Sequence, residues 1–201
     1  MKRRGMVRCA VLLGVLVCVL PACPAGVPRV RLIFGQGDYQ DSAVQSDLGG
    51  GAPGVYLQHA DDFFLAPGLS AIKIIEWWGT QDAGITGADS FVIRIFEDNG
   101  SGAPNVYPLY SIPVGTGIRE DTGSLAGAGS GGGPIYLYSA EVSPIALVPG
   151  QTYYLSIVND IGGWAWMLAD AETATPQCFY REAEGSDWTG ADADLAFRLW
   201  Q

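Results

Sequence analysis

From residue 55 onward, apolar and polar positions alternate with a period of two. Val55, Leu57, Phe63 and Leu65 fall on one parity. Phe91, Ile93 and Ile95 alternate with Val92, Arg94 and Phe96, and Tyr153, Leu155 and Ile157 with Tyr154, Ser156 and Val158. Ile135 and Leu137, and then Leu195, Phe197 and Leu199, repeat the arrangement. These runs are short, rich in β-branched and aromatic residues, and bounded by Gly, Pro, Asn and Asp, which reads as strands between turns. No amphipathic window carries the caps of a helix. The expectation is an all-β, antiparallel two-sheet sandwich.

The punctuation sets the expected organisation. Residues 1–25 form a leader, 26–54 an N-terminal lead whose Val30–Phe34 either joins the sheet as a strand or stays a partly ordered lead, and 55–201 the sandwich. Gly49–Gly54 separates lead from body, and Glu97–Pro104 is a loop with several positions suited to positive φ. The glycine-dense run Thr122–Pro134 is expected to be a mobile loop.

The leader changes the picture of where the chain resides. Lys2, Arg3, Arg4 and Arg8 precede twelve apolar residues, Cys9–Leu20, and then Pro21-Ala-Cys-Pro-Ala25. That order reads as a secretory signal peptide cut after Ala25. Twelve residues fall short of the ~20 that a spanning helix needs, so no membrane span is expected. Leu20–Cys23 is also similar to a lipobox, in which Cys23 would carry a lipid anchor. The expected location is secreted, periplasmic or at the cell surface.

Charge then excludes partners. The chain carries a net charge of −10, and removal of the four leader basics makes the rest −14. A nucleic-acid partner needs a basic face, and none is expected here. Cys178 remains without a partner cysteine once the leader is gone, so no disulfide framework holds the fold, and it reads as a buried inert thiol.

A set of runs in fixed order carries a resemblance. They are Gln58-His-Ala-Asp-Asp-Phe63, Glu76-Trp-Trp-Gly79, Phe91–Gly100 with Pro104, Gly150–Ile157, Trp164-Ala-Trp166 and Asp194-Leu-Ala-Phe-Arg-Leu199. The chain resembles a loosely defined group of secreted bacterial β-sandwich domains. The resemblance implies a jelly-roll-like sandwich in a surface or secreted protein, and it implies no activity. With the sequence ending at Gln201 after the last run, attachment is expected at the N-terminus or through binding.

Candidate chemistry is sparse. His59 is the one histidine, it lies beside Asp61 and Asp62, and no nucleophile elbow is present, so it reads as structural. Asp61 shares the parity of Phe63 and should point inward, where an unpaired carboxylate is costly. A bulge, hydrogen bonds to loop amides or a hard cation would resolve the conflict. Asp61, Asp62 and Asp98 are accordingly candidate Ca²⁺ ligands if their loops converge, although no EF-hand loop is present; no other cofactor is expected. Trp164 and Trp166 share a face, and Trp188 lies in the polar loop Gly185–Gly190. Such rings either pack the core or stack on sugars beside carboxylate acceptors. Trp164, Trp166 and Trp188 are therefore the candidate ligand-binding residues. The expected function is a non-catalytic extracellular binding or adhesion module for polysaccharide or cell-surface matrix. A polysaccharide hydrolase and a structural surface lipoprotein are the alternatives.

Overall fold

A computed structural model describes residues 30–47, 56–81, 88–130, 132–160, 162–170 and 177–201. The leader with Cys23 and the Gly49–Gly54 separator lie outside them. The described strands are β1 (Leu32–Gly35), β2 (Tyr39–Gln45), β3 (Gln58–Phe64), β4 (Ala71–Gln81), β5 (Phe91–Glu97), β6 (Tyr110–Gly115), β7 (Ile118–Leu125), β8 (Pro134–Ala146), β9 (Thr152–Asn159), β10 (Trp164–Ala169), β11 (Cys178–Arg181), β12 (Thr189–Ala191) and β13 (Phe197–Trp200). They form two antiparallel sheets that pack against each other, the sandwich that the period-two pattern implies.

The first sheet is organised around β4. One edge of this long strand pairs with β8, from Ala71↔Ala146 to Thr80↔Ile135. The other edge carries two short strands in series: β13 faces Ile74–Trp77, and β10 faces Gly79–Gln81. β1 and β2 extend the sheet outside β13 and β10, and β7 lies outside β8. The register of β4 slips between Ile72 and Ile74. A bulge at this point re-aims the following side chains, which lets Ile72 and Ile75, three residues apart, both enter the core.

The second sheet runs β12-β11-β3-β9-β5-β6. Alternation decides its inner face. Phe63, Ile93, Ile95, Leu155, Ile157 and Cys178 meet Ile75, Trp77, Trp166, Phe197 and Leu199 of the first sheet in one core. The outer face is not open to solvent throughout. Ala60, Phe96, Tyr154 and Phe179 are buried there, and Ala103 and Trp188 pack over them.

Two stretches of the chain now take their places. The described part of the lead joins the sheet, the first of its two readings: β1 pairs with β13 and β2 with β10. The glycine-dense run is only partly loop: β7 extends to Leu125, and a 3₁₀ turn at Ala128–Ser130 docks on β2. There Gly127 N donates to Asp41 O at 2.6 Å, and Ala43 N donates to Ser130 Oγ at 2.8 Å. Trp77 and Trp78 face opposite sides of β4, yet both are buried. Trp78 belongs to a second cluster with Met167 and Ala196, and the Arg198 guanidinium lies 4.7 Å from its ring centre.

Candidate functional site

A groove of about 550 Å³ opens on the outer face of the second sheet, at the Phe64 end of β3. Strand parity builds its floor. Asp62 and Phe64 share the outward face of β3, and the register sets them against Tyr154 and Thr152 of β9. Phe179 of β11 adds a second buried ring. The walls come from Phe34–Gly37 at and just past the end of β1, from Asp98 and Gly102 in the loop after β5, and from Gln177 and Asp194. Three carboxylates, two side-chain amides and four aromatic residues thus share one concave surface. Phe64 is the most exposed of its rings, at 54%.

Its polar groups are held in place. Asp98 Oδ1 accepts from Gly100 N at 2.6 Å, and Oδ2 accepts from the Tyr154 hydroxyl at 2.9 Å. Gly100 is at φ +88°, a left-handed conformation that glycine adopts without strain. Burial, then Asp98, pushes the Tyr154 hydroxyl well above the usual phenol range. Asp194 Oδ1 accepts from Gln177 N at 3.1 Å. Burial, followed by the negative charge of Asp194, raises the Asp62 carboxyl above the ordinary range.

Asp61 lies beneath the groove and is fully buried. Its Oδ2 accepts from Leu195 N at 2.5 Å and from Gln36 Nε2 at 3.4 Å, and its Oδ1 accepts from Asp62 N at 2.8 Å. Hydrogen bonds therefore resolve the inward carboxylate. Burial still drives its pKa well above the usual range, and the charges of Asp194 and Asp62 add to the rise. The proposed Ca²⁺ ligands do not form a cage. Asp62 and Asp98 reach the groove, but Asp61 spends its oxygens on N–H donors. Among the described residues no group of three or more His, Cys, Asp or Glu side chains is placed to hold a metal ion.

The candidate tryptophans separate. Trp164 and Trp166 are fully buried. Trp164 meets Phe91 edge-on at 5.1 Å, and Trp166 Nε1 donates to Ala196 O at 3.0 Å. They pack the core and present no ring face to a ligand, which corrects their reading as a sugar platform. The alternation that puts both on one face of β10 puts that face inward. Trp188 is half-buried; its ring lies 4.5 Å from the Arg181 guanidinium and its Nε1 donates to Asn105 O at 3.0 Å. It pins the loop after β11 to the loop after β5.

His59 and Cys178 sit on the inner side. Burial lowers His59 to about 4, against a backbone bond to Gln45 that pulls the other way. Its ring lies 5.9 Å from that of Tyr180. Burial pushes the Cys178 thiol up to about 12, and Asp61 and Asp194 reinforce it. A thiol held there is not a nucleophile at neutral pH.

Sequence reasoning missed Phe64, Tyr154, Thr152 and Gln36 as groove residues. Parity linked Asp62 to Phe64, but the cross-strand register that brings Tyr154 and Thr152 alongside carries no local signal. Among the described residues no helix is long and apolar enough to cross a membrane. Compared with known proteins, the chain matches no family model, no curated protein and no solved structure.

Proposed function

We propose that the protein is a non-catalytic binding module that acts outside the cell and takes a segment of a polysaccharide or surface matrix in the groove beside β3. The observation that carries this reading is the juxtaposition of an exposed ring, Phe64, with Asp62, Asp98 and Asp194 along one concave strip. Sugar rings present apolar C–H faces and hydroxyl donors, and a flat ring beside carboxylate acceptors complements both. The acidity of the chain favours neutral glycans as groove ligands over polyanions. The leader at residues 1–25 supports an extracellular role.

Titration with a panel of neutral soluble polysaccharides, followed by calorimetry, tests the reading. At least one should bind saturably, and Phe64→Ala should weaken it roughly three- to tenfold, the range of one aromatic contact. Asp62→Asn should weaken the same ligand. No saturable binding across the panel, or binding indifferent to both substitutions, would contradict the proposal. Release of reducing ends that Asp62→Asn abolishes would assign a hydrolase instead, with the raised Asp62 carboxyl as its acid.

A further inference from the structure

At the opposite end of β3 from the groove, two guanidiniums are buried on the same outer face of the second sheet. Arg94 of β5 is 7% exposed and Arg181 of β11 is 1% exposed. Both donate to a single oxygen, Gln58 Oε1, from Arg94 Nη1 at 3.2 Å and Arg181 Nε at 2.9 Å. The Tyr56 hydroxyl donates to that oxygen too, at 3.2 Å. An amide oxygen has two lone pairs, so three donors exceed what it can accept well. Gln58 cannot rotate its amide to help, because its Nε2 donates to Ser156 Oγ at 2.8 Å.

The donor surplus does not end there. Arg94 Nε and Arg181 Nη2 are buried and have no hydrogen-bond partner among the described residues. Among the described residues, the carboxylate within ion-pair distance of the pair is Glu184, on the loop after β11. Its Oε2 stands 3.6 Å from Arg94 Nη2, beyond hydrogen-bond length, and its side chain is 60% exposed. Two positive charges are thus taken out of water against one loosely held negative charge, with the Trp188 and Phe96 rings, 4.5 and 5.5 Å from the Arg181 guanidinium, as partial compensation. Such an arrangement is costly without a further anion. Burial pulls the Arg181 pKa down, and the charge of Arg94 adds to that fall, while Tyr56 and Glu184 oppose it.

Arg181 also borders an open cleft of about 610 Å³ shared with Ser186 and Thr189 and with two carboxylates, Glu182 and Asp187. The loop over the pair is tethered at two points, by Trp188 Nε1 to Asn105 O and by Arg181 Nη1 to Val106 O at 2.8 Å. Glu184 lies between the tethers in sequence and is held by neither.

We propose that Arg94 and Arg181 form an oxyanion site, and that Glu184 is its displaceable internal occupant. The ligand class is a carboxylate, sulfate or phosphate group, whose several oxygens can accept from two guanidiniums at once. The oxyanion belongs to a free ion or to an acidic sugar unit, and the test separates these sources. The site lies apart from the groove and stands or falls independently of it.

Calorimetric titration of the protein with sodium sulfate, sodium phosphate and sodium glucuronate, at ionic strength fixed with chloride, tests the proposal. At least one oxyanion should bind saturably. Glu184→Gln should tighten it about two- to fivefold, the scale of a half-exposed ion pair. Arg94→Gln should abolish it. Binding of all three ions marks a free-oxyanion site; binding of glucuronate alone marks a sugar-borne carboxylate. Should Arg94→Gln not fold, the wild type and Glu184→Gln decide the matter. No saturable binding by either, or an affinity that Glu184→Gln leaves unchanged, overturns the proposal.

Discussion

At the scale of single residues, the buried polar groups on the inner side of β3 carry the sharpest consequences. His59 is held neutral, with its pKa lowered to about 4 by burial. The unfolded chain takes up a proton near the ordinary value of ~6.5, before the folded chain does. Its contribution is therefore present above about pH 6.5 and is lost as pH falls toward 4. Asp61 runs the other way, since its raised pKa makes the folded state bind the proton first, so its contribution grows as pH falls. Comparing wild type with His59→Gln removes the Asp61 effect, which both share. Urea denaturation at pH 7 and pH 4.5 should show the advantage of wild type shrinking by roughly 2 kcal/mol. An advantage independent of pH would contradict the burial of a neutral imidazole. The histidine was legible as structural from its lack of a nucleophile partner. The depth of Asp61 was legible from parity with Phe63, but the Leu195 and Gln36 donors that satisfy it were not, because they arrive from distant segments of the chain.

At the scale of elements, close approach rather than propensity shapes the join between β4 and β10. Gly79 pairs with Trp166 on one side and Tyr136 on the other, and the Trp164 indole lies directly over it. A methyl group added there would run into that indole, which is itself fixed against Phe91. Gly79→Ala should destabilise the protein by about 1–3 kcal/mol, the usual cost of overpacking a core, measured as a lowered urea midpoint at unchanged slope. An unchanged midpoint would mean that the ring is not seated on the β4 backbone. β3, β5, β8, β9 and β13 were visible as alternating runs bounded by turn residues. β2 was not, because Tyr39–Gln45 is polar and half-buried and gains its place by pairing with β10. β7 was hidden for the same reason, since Ile118–Leu125 is mostly exposed and hydrogen-bonds to β8. Edge strands owe less to a buried face, so hydrophobic period reports them poorly.

At the scale of the whole molecule, one aromatic core and one patterned outer face divide the labour. Trp77, Phe91, Tyr138 and Trp164 pack edge-on or stacked between the sheets, so the tryptophan content that suggested a binding strip is mostly spent on cohesion. The outer face of the second sheet is different. Acidic side chains gather at the Phe64 end of β3, buried rings occupy its middle, and the two arginines lie at the Gln58 end. The gathering of Asp62 and Asp98 was legible as a convergence of acidic loops, but the arginine end was not, because Arg94 and Arg181 lie on strands far apart in the chain. The central claim is that ligand contacts this outer face and leaves the tryptophan core untouched. Amide and indole NMR shifts, recorded while a bound neutral oligosaccharide is titrated in, test it most directly. The account predicts changes at Asp62, Phe64, Thr152 and Asp98, with the Trp164 and Trp166 indole signals unmoved. Shifts centred on Trp164 and Trp166, with the groove residues silent, would contradict it.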